Sequence, residues 1–238
     1  MTTLLLLHGL GANRGVWTEL LDELEWPDKV LTPDLPGHGG AHASNDYTMG
    51  ALAAGVAASC GNEEEVIIAG HSLGGCVAIC LASGFFRPNV VSVVSVGAKV
   101  TWSTADVDGM AKVAAKGIRW FETREQAAER FLRQSGLVGL VDTSHPSVEI
   151  GIAKVDGRWR VAQDPKAFAQ RPVDMAGLMA AARCPVVLGA GENDAMVSRA
   201  DLAEFTSDPR IAAAAGHNAQ VESPAWFADL IREAAVVD

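Results

Sequence analysis

One pentapeptide restricts the fold of this chain more than any other feature: Gly-x-Ser-x-Gly at residues 70–74. Residues 66–69 are β-branched or small, which predicts a short buried strand, and the apolar residues 76–82 predict a helix. Glycine at both ends of the pentapeptide lets strand and helix approach closely, which would expose the Ser72 hydroxyl on a sharp turn. The N–H of Leu73 would then point to where negative charge develops on an attacked carbonyl. The pattern therefore predicts acyl-transfer chemistry at Ser72.

A serine hydroxyl becomes a strong nucleophile only when a histidine takes its proton and a carboxylate orients that histidine. Asp194 and His217 each follow a predicted strand in the C-terminal part of the chain. Strands alternate with helical segments, which is typical of a parallel, doubly wound sheet whose ligand sites lie at the carboxyl ends of the strands. Ser72, Asp194 and His217 are therefore expected to meet at one edge of the sheet.

This arrangement resembles the α/β-hydrolase family, in which the triad follows the chain order Ser, Asp, His. Residues 8–11, His-Gly-Leu-Gly, are similar to the family's oxyanion loop, and residues 34–39, Asp-Leu-Pro-Gly-His-Gly, are similar to another conserved turn of the family. The resemblance implies that the N–H of Leu10 is the second oxyanion-hole donor beside that of Leu73. It also implies that Asp194 is the triad acid.

Other polar residues in the same loops are interpreted as structural. Glu192 lies nearer the end of its strand and is expected to bond loop backbone or face solvent. His8 is expected to hydrogen-bond its own loop, and Asp34 and His38 to stabilise their turn. If Asp194 is not the acid, Asp106 or Asp108 would be the next candidates.

The resemblance spans the core from Thr3 to Leu230, but not the cap within it, and implies a mostly parallel doubly wound sheet of the α/β-hydrolase type. The core is predicted at residues 1–98 and 183–238, without the family's N-terminal edge strands, because the oxyanion loop begins almost at Met1. Residues 99–182 are predicted to form an inserted, mainly helical cap. This segment holds 12 Lys and Arg against 10 Asp and Glu, whereas the remainder holds 7 against 19. Its aromatic side chains could wall a substrate pocket or form the cap's own core.

Composition excludes several classes of protein. A length of 238 residues with 49% hydrophobic residues indicates one domain with an insertion, and a net charge of −10 argues against a nucleic-acid or anionic-membrane partner. The N-terminal leucine run is too short for a membrane span or a signal peptide. Four cysteines without CxxC spacing predict free thiols and a cytoplasmic location, and the lack of HxxxH or CxxC spacing argues against a metal site.

The function implied by the resemblance is hydrolysis of a carboxylic ester or related acyl bond of a small molecule, through an acyl-enzyme and without a cofactor. Serine at position 72 excludes the haloalkane dehalogenases and epoxide hydrolases of the family, which use aspartate there. Two alternatives remain open. The same triad serves C–C bond hydrolases, enol-lactone hydrolases and some lyases, and some family members only sense a small ligand.

Overall fold

The computed structural model of the chain describes residues 2–61 and 63–236. Its strands are β1 (Thr3–Leu7), β2 (Val30–Leu31), β3 (Glu65–His71), β4 (Asn89–Val96), β5 (Ile152–Val155), β6 (Arg158–Val161), β7 (Val186–Gly191) and β8 (Arg210–Ala212). Its α-helices are α1 (Thr18–Leu24), α2 (Met49–Ser59), α3 (Leu73–Leu81), α4 (Thr104–Ala115), α5 (Arg124–Ser135), α6 (Pro146–Gly151), α7 (Met175–Ala181), α8 (Arg199–Ala203), α9 (Ala219–Glu222) and α10 (Pro224–Ala235). Short 3-10 helices lie at Arg14–Trp17 and Pro165–Phe168.

Six of the strands form one sheet in the order β2-β1-β3-β4-β7-β8, and every neighbouring pair is parallel. After β1 the chain first adds β2 on one side of β1, and it then adds β3 on the opposite side of β1. The direction in which strands are added therefore reverses at β1. A parallel sheet of this kind has its ligand sites beyond the carboxyl ends of the strands. The prediction of a doubly wound α/β sheet is confirmed.

The central strands are buried on both faces, which is why they appear in the sequence as unbroken apolar runs. Every residue of β1 is buried, and successive side chains point to opposite faces of the sheet. Leu4 and Leu6 pack with residues of α1, α5 and α10, whereas Leu5 and Leu7 pack with residues of α2, α3 and α7. The protein therefore has two hydrophobic layers, one on each side of the sheet.

Residues 99–182, the inserted segment, lie between the adjacent strands β4 and β7 and contain α4 to α7 and the antiparallel hairpin of β5 and β6. The hairpin turns at Asp156 and Gly157, which have φ of 48° and 84° as a two-residue hairpin turn requires. The Asp-Gly pair within residues 155–159 predicts this hairpin turn. The pattern of residues 173–182 predicts a helix, and the observed helix α7 lies within that range.

Two features of the inserted segment differ from the sequence-based prediction. Helix α4 was not predicted; it begins with a complete capping box of Ser103 and Asp106, but none of its residues is fully buried. The spacing of Thr123 and Gln126 predicts a capping box at the start of α5, and the Thr123 hydroxyl does accept the N–H of Gln126 at 3.3 Å. The Gln126 side chain, however, accepts the N–H of Glu122 at 3.2 Å, one residue earlier than a regular box requires.

Within the described ranges, no helix has both the length and the apolar character that crossing a bilayer requires.

Candidate active site

The turn between β3 and α3 holds Ser72 in an unusual backbone conformation. Its φ of 53° and ψ of −117° lie in a region that non-glycine residues rarely adopt, so the turn is strained. The strain is kept in place by close backbone packing, because a Cβ atom on Gly74 would overlap the carbonyl oxygens of Leu7 and His8. The glycines of the pentapeptide thus have the role that the sequence predicted, and the Ser72 side chain lies at the carboxyl edge of the sheet.

Asp194 and His217 lie at the same edge, after β7 and β8. The Nδ1 atom of His217 is 2.8 Å from Oδ2 of Asp194, and the other Asp194 oxygen accepts the N–H of Met196 at 2.7 Å. The Asp194 side chain is 0% exposed and that of His217 is 24% exposed, so the acid is enclosed and the imidazole is accessible. A carboxylate accepts only, so Nδ1 carries the proton and Nε2 is the free base position.

The protonation of Asp194 follows from its surroundings. Burial tends to raise the pKa of Asp194, but the hydrogen bond and the charge of His217, together with the N–H of Met196, hold this pKa below its ordinary value. The carboxylate is therefore ionised at neutral pH and stabilises positive charge on His217.

Glu192 lies on the same loop but is directed elsewhere. Its Oε2 atom accepts the N–H of Ala214 at 2.8 Å, which matches the expectation that it bonds loop backbone. Asp106, the alternative candidate for the triad acid, instead caps the N-terminus of α4 and forms an ion pair with Lys99 at 3.4 Å. Within residues 2–61 and 63–236, Asp194 is the carboxylate hydrogen-bonded to His217.

The oxyanion loop follows β1. His8 uses both ring nitrogens in the loop: Nδ1 donates to the carbonyl of Gly9 at 2.9 Å, and Nε2 accepts the N–H of Leu35 at 2.9 Å. Burial lowers the pKa of His8, so the ring is neutral and structural, as predicted. The loop continues directly into Leu10. The N–H of Leu73 belongs to the first turn of α3, where helix geometry provides no partner within the helix.

Asp34 and His38 are also placed as structural residues. Asp34 accepts the N–H groups of Arg14 at 2.7 Å and Gly40 at 2.9 Å. His38 donates from Nδ1 to the carbonyl of Pro36 at 3.0 Å, and its Nε2 accepts the Gln163 amide at 2.9 Å. His38 therefore links the core to the inserted segment.

Three residues that support the His217 loop were not singled out from the sequence. His71 donates from Nε2 to the His217 carbonyl at 2.8 Å. Glu222 accepts the N–H groups of Gly216 at 2.8 Å and Asn218 at 3.0 Å, and the Asn218 amide donates to the carbonyl of Gly136 at 3.0 Å. His71 occupies an unspecified position of the pentapeptide, so the sequence pattern carried no information about it. Glu222 belongs to a Glu-x-Pro motif at residues 222–224 that resembles part of the family's histidine loop, and this motif could have indicated its supporting role.

Two proteins of known structure have the same fold along nearly the whole chain. E-2-(acetamidomethylene)succinate hydrolase superposes with a TM-score of 0.82 and 23% identity, covering 99% of this chain and 92% of that one. A novel esterase of Mycobacterium tuberculosis superposes with a TM-score of 0.76 and 22% identity, covering 100% of this chain and 85% of that one. At these identities the likeness concerns the fold.

Among curated proteins, the chain is similar to a pimeloyl-[acyl-carrier protein] methyl ester esterase of Neisseria meningitidis, with 37% identity over 115 residues. The similar region covers 48% of this chain and 35% of that relative, so it spans little more than a third of the relative's length. A model of the alpha/beta hydrolase family matches residues 4–230, which include every loop described above. The chain belongs to the alpha/beta hydrolase family.

Proposed function

We propose that the protein is a serine hydrolase that cleaves a carboxylic ester or related acyl bond of a small molecule through an acyl-enzyme. The observation that carries the proposal is the 2.8 Å contact between His217 Nδ1 and Asp194 Oδ2 at the sheet edge where Ser72 stands on its strained turn. A carboxylate, an imidazole and a partly buried serine hydroxyl at one edge are the groups that nucleophilic acyl transfer requires.

Each group has one role in the proposed reaction. The Ser72 oxygen attacks the ester carbonyl while His217 Nε2 takes the hydroxyl proton and Asp194 stabilises the resulting imidazolium. The N–H groups of Leu10 and Leu73 donate to the negative oxygen of the tetrahedral intermediate. His217 then gives its proton to the leaving alcohol, which breaks the C–O bond and leaves the acyl group on Ser72. In the second half, His217 deprotonates a water molecule that attacks the acyl carbonyl, and His217 then returns this proton to the Ser72 oxygen as the bond between that oxygen and the acyl carbon breaks and the acid leaves.

The inserted segment is proposed to cover this site, with the core at residues 1–98 and 183–238. Two contacts support this division. The backbone of Gln134 packs against Gly11, next to Leu10, and the carbonyl of Gly136 accepts the Asn218 amide beside His217. The C-terminal end of α5 thus touches the loop of Leu10 and the loop of His217.

The choice of an ester bond is supported by the relatives. The curated relative from Neisseria meningitidis is named for cleavage of a methyl ester, and a solved neighbour is named as an esterase. The proposed cytoplasmic location is supported by the four cysteines, which form no disulfide.

Turnover of p-nitrophenyl acetate and p-nitrophenyl butyrate tests the proposal. Repeated turnover by each protein molecule, together with the loss of this turnover in Ser72→Ala, would support the assignment as an ester hydrolase. One equivalent of p-nitrophenol followed by a stall would instead indicate a ligand sensor. Slow ester cleavage beside fast cleavage of an enol-lactone or a C–C substrate would move the assignment to those reactions of the same triad.

A further inference from the structure

A cavity of about 300 Å³ lies in the inserted segment, lined by residues of α4, α5, β6 and the 3-10 helix that follows. Three cationic side chains face it, those of Lys116, Arg119 and Arg130. None of the described residues that line it is a carboxylate. The cavity is also apolar in part, because Phe121 and Phe168 belong to its wall.

The three cations have no ion-pair partner among the described residues, and Glu122 and Glu129 lie in an adjoining depression that Arg119 and Arg130 also line. Two of the other five arginines of the same segment have acidic partners: Arg124 pairs with Glu149, and Arg133 lies 3.1 Å from Glu129. Over the described residues, no ion pair within 4.0 Å involves the three cavity cations, and Arg119 is instead held with its guanidinium carbon 5.1 Å from the centre of the Phe121 ring. A ring face orients the cation without cancelling its charge. An anion in the cavity would relieve the mutual repulsion.

The cavity adjoins the catalytic edge of the sheet. Gln134 lines the cavity and also packs against Gly11, the residue after Leu10. Gln134 and Gln163 both line the cavity and are joined by their side-chain amides, and Gln163 also bonds His38, whose ring packs edge-on against the ring of His8. Arg130 is one helical turn before Gln134 on α5, which places it about 6 Å farther from this edge along the helix axis.

We propose that this cavity is a subsite for a carboxylate carried by the substrate at the end remote from the scissile bond. The inference rests on the proposed ester hydrolysis and names its substrate class: esters with a distal carboxylate, such as half-esters of dicarboxylic acids. The guanidinium groups of Arg119 and Arg130 form paired hydrogen bonds with a carboxylate, and Lys116 adds charge at the cavity mouth. The aromatic wall contacts the methylene chain that joins the carboxylate to the ester.

The preference for a distal carboxylate can be measured with matched pairs of esters. In the first pair, monomethyl suberate carries a distal carboxylate on the acid side of the ester and methyl octanoate does not. In the second pair, 6-butyryloxyhexanoate carries a distal carboxylate on the alcohol side and hexyl butyrate does not. The wild-type protein is expected to show kcat/KM about tenfold higher for the carboxylate member of one pair, the size of a lost charge-assisted hydrogen bond. Salt at about 0.5 M should reduce this preference, because part of it is screened.

Two variants connect the preference to the cavity. Arg130→Gln is expected to lose the preference because its kcat/KM for the carboxylate ester falls toward that for the neutral ester, and Lys116→Gln, at an exposed helix end, should lower the preference by less. Arg133→Gln is the matched control, because Arg133 is on the same helix, has the same charge and does not line the cavity. An equal preference in Arg130→Gln and Arg133→Gln would overturn the inference, as would the absence of any preference in the wild type.

Binding of suberate, measured by calorimetry on the wild-type protein, separates this inference from the proposed function. Suberate binding that Arg130→Gln weakens about tenfold supports the subsite even if none of the esters is hydrolysed. Hydrolysis of neutral esters without suberate binding and without a carboxylate preference leaves the proposed function standing and refutes the subsite.

Discussion

The Nε2–H group of His71 donates a hydrogen bond to the backbone carbonyl of His217, with 2.8 Å between nitrogen and oxygen. A carbonyl can only accept, so the proton of the neutral ring is on Nε2 and Nδ1 is an acceptor. Nδ1 is buried and has no hydrogen-bond partner among the described residues. Burial, with a smaller contribution from the charge of His217, lowers the pKa of His71 to about 3, so the ring is neutral in the working range of pH. The bond joins the nucleophile turn directly to the loop of the base.

This contact predicts a positioning role for His71. In His71→Leu the His217 loop loses its tie to β3, and kcat on p-nitrophenyl butyrate is expected to fall about 10- to 100-fold with little change in KM. His71→Gln should recover part of the loss, because its amide can donate to the same carbonyl. The exposed His42 serves as the matched control in His42→Leu. A kcat in His71→Leu equal to that of the control would show that the bond does not position the base.

The two acids on the loop after β7, Asp194 and Glu192, are expected to affect kcat very differently when each is replaced by its amide. Asp194→Asn should lower kcat by about 10⁴ at neutral pH, because an amide favours the wrong tautomer of His217. Glu192→Gln should stay within a few-fold of the wild type, since that side chain bonds the N–H of Ala214. Steady-state kinetics on one ester measures both. The reverse ranking would move the acid to Glu192, and mild losses in both would direct attention to Asp106 or Asp108.

The sequence predicted the parts of the fold in which burial and chain pattern agree. Strands β1, β3 and β4 are covered on both faces, so their apolar runs are unambiguous. Parallel strands place their carboxyl ends together, so the chain order alone predicted that the loops of Ser72, Asp194 and His217 would meet.

The features that the sequence did not predict depend on packing between residues that lie far apart in the chain. Helix α4 has no fully buried residue, so its sequence carries no apolar stripe that would distinguish it from a loop. His71 was not recognised because its hydrogen bond reaches a backbone atom 146 positions away, and backbone acceptors leave no trace in residue types. The cluster of Lys116, Arg119 and Arg130 becomes visible only when α4 and α5 are packed around one cavity.

Buried neutral histidines predict a loss of stability in acid. Burial lowers the pKa of His8, and it lowers the pKa of His38 and of His71 from 6.5 to about 3. Between these values the unfolded chain binds protons that the folded protein does not, so the free energy of unfolding decreases as pH falls below 6.5. Each histidine contributes up to about 1.4 kcal/mol per pH unit in this range. The lowered pKa of Asp194 acts in the same direction at lower pH.

Urea denaturation at about pH 7 and about pH 5 measures this loss. His38→Gln should show a shallower decrease than the wild type, whereas the exposed His42→Gln should keep the full decrease. Equal stability of the wild-type protein at the two pH values would contradict the neutral, buried state of these rings.

The most direct test of the proposed chemistry is to identify the residue that a fluorophosphonate probe modifies, using peptide mass spectrometry, together with turnover in Ser72→Ala. We expect one adduct, on Ser72, and a folded Ser72→Ala protein that is neither labelled nor active beyond the ~10³-fold rate enhancement that oxyanion donors alone can provide. An adduct on another residue, or wild-type turnover in Ser72→Ala, would refute the assignment of Ser72 as the nucleophile.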